Sequence, residues 1–219
     1  TALAATIGYV YKPTKNWQIN SVLSSGFRSP NIDDVGKIRE KNGNVTIPNV
    51  DLKPEFAYNA EIGVLKFFNQ RRFSFGFNTY YTLLDNYITR EADGNTIMYD
   101  AEIGNVVKNI NKGRAYITGY TANYFGRINH NWKTSGFITY TKGRTFDTDE
   151  PMSSIPPLFG KFEISFRKDK LELSADFRFN SKKDIKSYNI SEGIDTHDKT
   201  PIIDQNEPNA PETNADTQI

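Results

Sequence analysis

Short and long connections alternate along this chain, and that alternation constrains its fold more than any single segment does. Segments of period-two hydrophobicity are joined by short links at 12–16, 67–72, 126–131 and 167–170. Between them lie long links at 29–56, 89–105 and 142–157, and another begins at 181. Period two places alternate side chains on opposite faces of a β-strand. The clearest strand pair brackets the basic turn Phe67-Phe68-Asn69-Gln70-Arg71-Arg72. Before it, Tyr58, Ala60, Ile62 and Val64 alternate with Asn59 and Glu61. After it, Phe73, Phe75 and Phe77 alternate with Ser74, Gly76 and Asn78, and strand character runs on to Tyr87-Ile88. Strands of soluble domains average about five or six residues. A tilted strand needs roughly 9 to 11 residues to cross a bilayer. The long second strand therefore predicts a transmembrane hairpin.

The other segments obey the same rule. Leu3, Ala5, Ile7, Tyr9 and Tyr11 alternate up to a turn at Lys12-Pro13-Thr14-Lys15-Asn16, and Trp17, Ile19 and Leu23 return. After the polar segment 89–105, which contains Asp93-Gly94-Asn95, one strand is expected over 106–125. Trp132, Gly136, Ile138 and Tyr140 mark the next, and Phe162, Ile164 and Phe166 another. In the last, Leu171, Leu173, Ala175, Phe177 and Phe179 oppose Glu172, Ser174, Asp176, Arg178 and Asn180. Short periplasmic turns and long extracellular loops are the asymmetry of an outer-membrane barrel. The expected fold is thus all-β, an antiparallel transmembrane β-barrel segment over 1–180. Residues 181–219 are expected to be a polar extracellular loop or disordered tail. Trp17 and Trp132 both come directly after short turns, which suits the periplasmic aromatic girdle, and Tyr87 and Tyr140 are further interface candidates. A water-soluble β-sandwich or small ligand-binding barrel gives no reason for the short/long alternation to recur.

Composition narrows the function. The formal net charge is +1 in 219 residues, so no basic field points to nucleic acid. No window approaches the roughly 18 apolar residues of a membrane-spanning helix. With no cysteine there is neither a disulfide framework nor thiolate chemistry. The chain opens Thr1-Ala2-Leu3-Ala4, without an initiator Met or leader, which predicts an internal fragment or a removed signal peptide.

Three stretches then carry a resemblance: Gly26-Phe27-Arg28-Ser29-Pro30; Pro48-Asn49-Val50-Asp51-Leu52-Lys53-Pro54-Glu55 with Glu61-Ile62-Gly63 beyond it; and Ile155-Pro156-Pro157 with Phe159-Gly160. A weaker fourth runs from Asn109 to Gly119. In order and spacing they resemble the C-terminal barrel region of TonB-dependent outer-membrane receptors, over roughly residues 17 to 180. The resemblance implies a barrel of the 22-stranded, plugged class, of which about eight strands are present here. It also implies an N-terminal plug domain and a short box engaging the TonB energising complex, neither of which lies in this stretch, and a final strand with an aromatic terminus. The implied function is that of an outer-membrane receptor of a Gram-negative bacterium, taking up a scarce nutrient, most readily a ferric siderophore-type iron chelate. The alternative is a small autonomous eight-stranded barrel with an adhesive or structural role, its interior filled by Glu61, Asn78, Glu172, Asp176 and Arg178.

Loop cations suit an anionic chelate, which makes Arg28, Lys37, Arg39, Lys41, Arg90, Lys142 and Arg144 the substrate-facing candidates. Arg28 also has a structural reading, bracing the loop base through Glu55 or Glu61. Haem-receptor relatives carry a His between boxes like Phe27-Arg28-Ser29-Pro30 and Pro48-Asn49, and residues 31–47 contain none, so haem uptake is disfavoured. No cofactor is expected. Asp33-Asp34 and Asp147, Asp149 and Glu150 are acidic but match no EF-hand spacing, so no metal site is assigned. No nucleophile elbow or phosphate-cradling loop occurs, and His130 and His197 both fall in connections, so the chain is not expected to be an enzyme.

Overall fold

The structure, a computed structural model, describes residues 3–41 and 43–189. The chain forms β1 (Ala5–Thr14), β2 (Trp17–Arg28), α1 (Ile32–Val35), β3 (Arg39–Lys41), β4 (Asn44–Ile47), β5 (Glu55–Phe68), β6 (Phe73–Asp85), β7 (Ile88–Tyr99), β8 (Glu102–Asn111), β9 (Arg114–Arg127), β10 (Trp132–Thr145), β11 (Phe159–Lys168) and β12 (Leu171–Asn180). Eight of the strands make one antiparallel meander in the order β1-β2-β5-β6-β9-β10-β11-β12. Their 10 to 14 residues reach or exceed a bilayer crossing. Among the described residues β1 and β12 each pair on one side only, so the eight strands form an open wall and not a closed ring. An autonomous eight-stranded barrel is therefore not favoured, because an unpaired strand edge in lipid leaves backbone polar groups unsatisfied.

Register sorts the two faces. Cα partners across an antiparallel ladder share a face, and one row crosses all eight strands through Tyr11, Ile19, Val64, Phe77, Ala122, Ile138, Gly160 and Phe179. Every member is apolar. One residue along, the opposite face carries Val10, Asn20, Gly63, Asn78, Thr121, Thr139, Phe159 and Asn180. Ile7, Leu23 and Ile62, on the apolar face, are 69%, 59% and 50% exposed. A continuous apolar face of this size requires a non-aqueous neighbour. Glu61, Asn78, Glu172, Asp176 and Arg178 all fall on the polar face, where Arg178 donates to Asp176 at 2.8 Å. Glycines on that face leave room for neighbouring side chains: the Asn78 side chain lies across Gly63, and Asn123 lies across Gly76.

The links sort by end. The tight turns β1–β2, β5–β6, β9–β10 and β11–β12 share one end of the wall, and the long links share the other. Trp17 and Trp132 stand at the short-turn end of the apolar face. The Lys66 ammonium lies 4.2 Å from the Trp17 ring centroid, and Trp132 packs on Phe166 at 4.9 Å. Tyr140 lies further along the same face, 5.3 Å from Tyr120.

The long links differ from the sequence expectation. The polar segment 89–105 forms the hairpin β7–β8. Its Asp93-Gly94-Asn95 is an irregularity in the ladder, with Gly94 at φ +76°, and the chain reverses at Asp100-Ala101, both in the left-handed region. The single strand expected over 106–125 is two, β8 and β9, separated at Lys112-Gly113, where Gly113 has φ +37°. In the 29–56 link, α1 precedes the hairpin β3–β4, and β4 pairs in parallel with β8. The result is a four-stranded sheet, β3-β4-β8-β7, standing above the wall.

Candidate functional site

Each long link meets its neighbour through specific polar contacts, so the loop end is one structure. It begins at α1, whose N-cap Asn31 and Asp34 form a reciprocal capping box: the Asp34 amide donates to Asn31 Oδ1 at 2.9 Å and the Asn31 amide to Asp34 Oδ2 at 3.0 Å. Arg28 at the end of β2 adds its guanidinium to the same carboxylate, 3.0 Å away. Its partner is thus Asp34; neither Glu55 nor Glu61 takes that place, and Glu55 instead accepts from the Ile88 amide at 2.8 Å. The Arg28 side chain is 45% exposed. Solvent screening limits such a pair to less than about 1 kcal/mol, so Arg28→Ala should shift the protein's urea midpoint only marginally; a large shift would show that more than this pair depends on it.

Asparagines then join the first two links. Asn109 donates through Nδ2 to the Asp34 carbonyl at 3.0 Å and accepts on its own carbonyl from Asn49 Nδ2 at 2.8 Å. Asn111 donates to the carbonyls of Lys53 and Asn86 at 2.9 and 2.8 Å and accepts from the Lys53 amide at 2.8 Å. Arg28, Asn49 and Asn109, which come from separate receptor-like stretches of the sequence, therefore meet around α1. Lys112 joins the second link to the third, 2.8 Å from Glu150 and 3.8 Å from Glu91. Beneath them Leu84, Ala115 and Met152 form a buried cluster, with Ala57, Tyr87, Ile117 and Ile155 packed against it. Tyr87 is thus half-buried against this cluster, away from the row of the two tryptophans. The third link is tied onward, since Asn189 Nδ2 donates to the Pro151 carbonyl at 2.6 Å.

The candidate cations divide into groups. Arg39 and Lys41 are exposed on β3 and, through Thr46 and Asn44 of β4 and the β8–β7 ladder, share a sheet face with Arg90. Lys37 is half-buried before β3. Arg90 is the unusual one: its Nε is buried with no hydrogen-bond partner, as is the neighbouring Thr89 Oγ1. Lys142 and Arg144 lie elsewhere. They are in register with Thr118 and Tyr116 of β9, on the apolar face of the wall, and Arg144 bonds Asp149 at 2.9 Å. The acidic residues mostly have partners within the loops: Asp34 at the cap, Asp149 on Arg144 and Glu150 on Lys112. His130 is exposed in the third short turn, and His197 lies outside the described residues. The asparagine bridges had no signal in the sequence beyond Asn49 and Asn109 falling in two of the receptor-like stretches.

A family model described as TonB dependent receptor-like, beta-barrel, matches residues 3–203. The chain belongs to that family. It is 26% identical over 203 residues to the probable hemoglobin and hemoglobin-haptoglobin-binding protein 4 of Haemophilus influenzae, covering 84% of this chain and 20% of that protein. Among solved structures, a mutant of the ferric enterobactin receptor PfeA from Pseudomonas aeruginosa superposes with a TM-score of 0.65 at 15% identity, over 80% of this chain and 27% of the other. The siderophore receptor PirA from Acinetobacter baumannii gives 0.64 at 16%, over 80% and 28%. The copper transporter OprC gives 0.64 at 17%, over 81% and 26%. These likenesses establish the fold. The chain spans about a fifth of the curated relative and roughly a quarter of these structures.

Proposed function

We propose that this chain is a wall segment, with its extracellular loops, of a TonB-dependent transporter in the outer membrane of a Gram-negative bacterium, and that the transporter imports an iron chelate of the ferric siderophore class. One observation carries the orientation: among the described residues the long links are at one end of a wall whose apolar face is continuous. The apolar face meets lipid, the polar face meets the lumen, and the joined loops meet the nutrient outside. Arg39, Lys41 and Arg90, on one face of the loop sheet, are the cations best placed for an anionic chelate, with Lys37 two residues before Arg39 in the chain. Arg28 serves α1, and Lys142 and Arg144 belong to the outward rim. Energy reaches the transporter from the TonB complex through a plug supplied by other parts of the parent protein.

The relative named for haemoglobin binding favours a second cargo, haem iron delivered by a protein. Residues 31–47 offer no histidine to ligate haem, and the loop cations favour the chelate. In a strain lacking its own ferric-chelate receptors, the intact gene containing this chain should restore growth on a ferric siderophore as sole iron source. Growth on haemoglobin and on none of a panel of ferric chelates would replace this reading with the second.

A further inference from the structure

The first and second short turns lie side by side, because β2 pairs with β5, and a cleft of about 540 Å³ opens between them. Lys12, Lys15 and Arg71 line it together with the polar side chains of Asn16 and Gln70, and Trp17 forms one wall. Among the described residues no acidic side chain lines it. The charge continues along this end: Arg72 comes next in the second turn, and Lys168 and Lys170 flank a lone acid, Asp169, in the fourth. The overall charge of +1 conceals this, since acids such as Asp34, Asp149 and Glu150 sit at the opposite end.

Trp17 belongs both to the cleft and to the apolar face, where its Cα partner is Lys66 and the next row is Ile19 and Val64. An anionic group held in the cleft therefore has an apolar surface running away from it along the wall. We propose that the cleft binds the phosphodiester of an anionic phospholipid in the periplasmic leaflet, Lys12, Lys15 and Arg71 taking the phosphate while the acyl chains lie against Trp17, Ile19 and Val64. This rests on the proposed membrane orientation of the wall. Free phosphate has no use for the Trp17 wall, and an acidic protein docking on the turns has no use for the apolar surface continuous with it.

Native mass spectrometry of the intact detergent-solubilised receptor tests the assignment, with phosphatidylglycerol, phosphatidylcholine and inorganic phosphate as probes. Phosphatidylglycerol should bind most tightly, and K12Q/K15Q/R71Q should weaken it roughly 100-fold, about fivefold per cation, while K53Q/K108Q at the other end leaves it unchanged. An unchanged affinity in the triple variant, equal binding of phosphatidylcholine, or displacement by inorganic phosphate at similar concentration would each overturn the proposal. If the triple variant loses heat-modifiable migration, R71Q alone carries the test with its fivefold loss. A wild-type receptor that neither shows heat-modifiable migration nor inserts into vesicles would instead defeat the membrane orientation itself.

Discussion

Gly119→Val is expected to destabilise the wall strongly. Gly119 lies at the centre of three strands, and a Cβ there meets the backbone carbonyl of Tyr140 and comes within 2.8 Å of the Tyr80 hydroxyl. Neither neighbour is free to withdraw. The Tyr80 hydroxyl bonds Thr141 Oγ1 at 3.1 Å, the Gly119 carbonyl accepts from Thr79 Oγ1 at 3.0 Å, and Thr141 is the Cα partner of Gly119 in the ladder. Overpacking costs typically about 1–3 kcal/mol where side chains can adjust. Here one obstacle is backbone, so the effect belongs at or above the top of that range. Measured on the intact receptor by heat-modifiable migration across a urea series, the folded population at the wild-type midpoint should fall roughly a hundredfold. Gly26→Ala is the control, because a Cβ at Gly26 meets nothing within 4 Å, and its stability should change by no more than about 0.5 kcal/mol. Wild-type stability in the valine variant would mean that β6, β9 and β10 are not packed as described.

Asn109→Leu should release the first long link from the second while leaving the wall intact. Asn109 is 9% exposed, and its Nδ2 is the donor to the Asp34 carbonyl. Leucine keeps much of the volume and removes the donor, and a buried group left without its partner costs about 1–3 kcal/mol. That penalty falls on the contact between α1 and β8, so its readout is local. Trypsin cleavage after Lys37, Arg39 and Lys41 in the intact protein should accelerate by about tenfold or more, and, under the proposed function, affinity for a ferric chelate should fall with it. The urea midpoint of the wall should stay where it was. Unchanged cleavage would show that the asparagine bridge does not hold the loops, and a collapse of the midpoint would show that the loops and wall are one cooperative unit.

The wall was legible because its physics is local. Alternation in Tyr58–Val64, Phe73–Phe77 and Leu171–Phe179 results from one apolar and one wet face, and a one-residue slip would exchange the faces of the whole strand. Short turns joined neighbours in space, so chain order predicted strand order. The loop sheet was not legible for the opposite reason. Asp93-Gly94-Asn95 carries strong turn chemistry yet sits within β7 as an irregularity, while the reversal occurs at Asp100-Ala101, which carries little. Residues 39–41 and 44–47 are too short to show a period, and the parallel pairing of β4 with β8 joins residues some sixty positions apart.

The same division applies to the site. The sequence by itself determined that eight or so strands alternate between apolar and polar faces, and that long links lie at one end with cations among them, because period and turn length act over a few residues. Only the tertiary structure decided which cations share a surface. Arg39, Lys41 and Arg90 come to one sheet face through pairing between two different links, Arg28 turns to a helix cap, and Lys142 and Arg144 fall on the apolar side of the wall. The face a side chain takes at a strand end depends on its register with a partner strand, and register between distant segments is fixed by contacts such as those of Asn109 and Asn111 that no local pattern encodes.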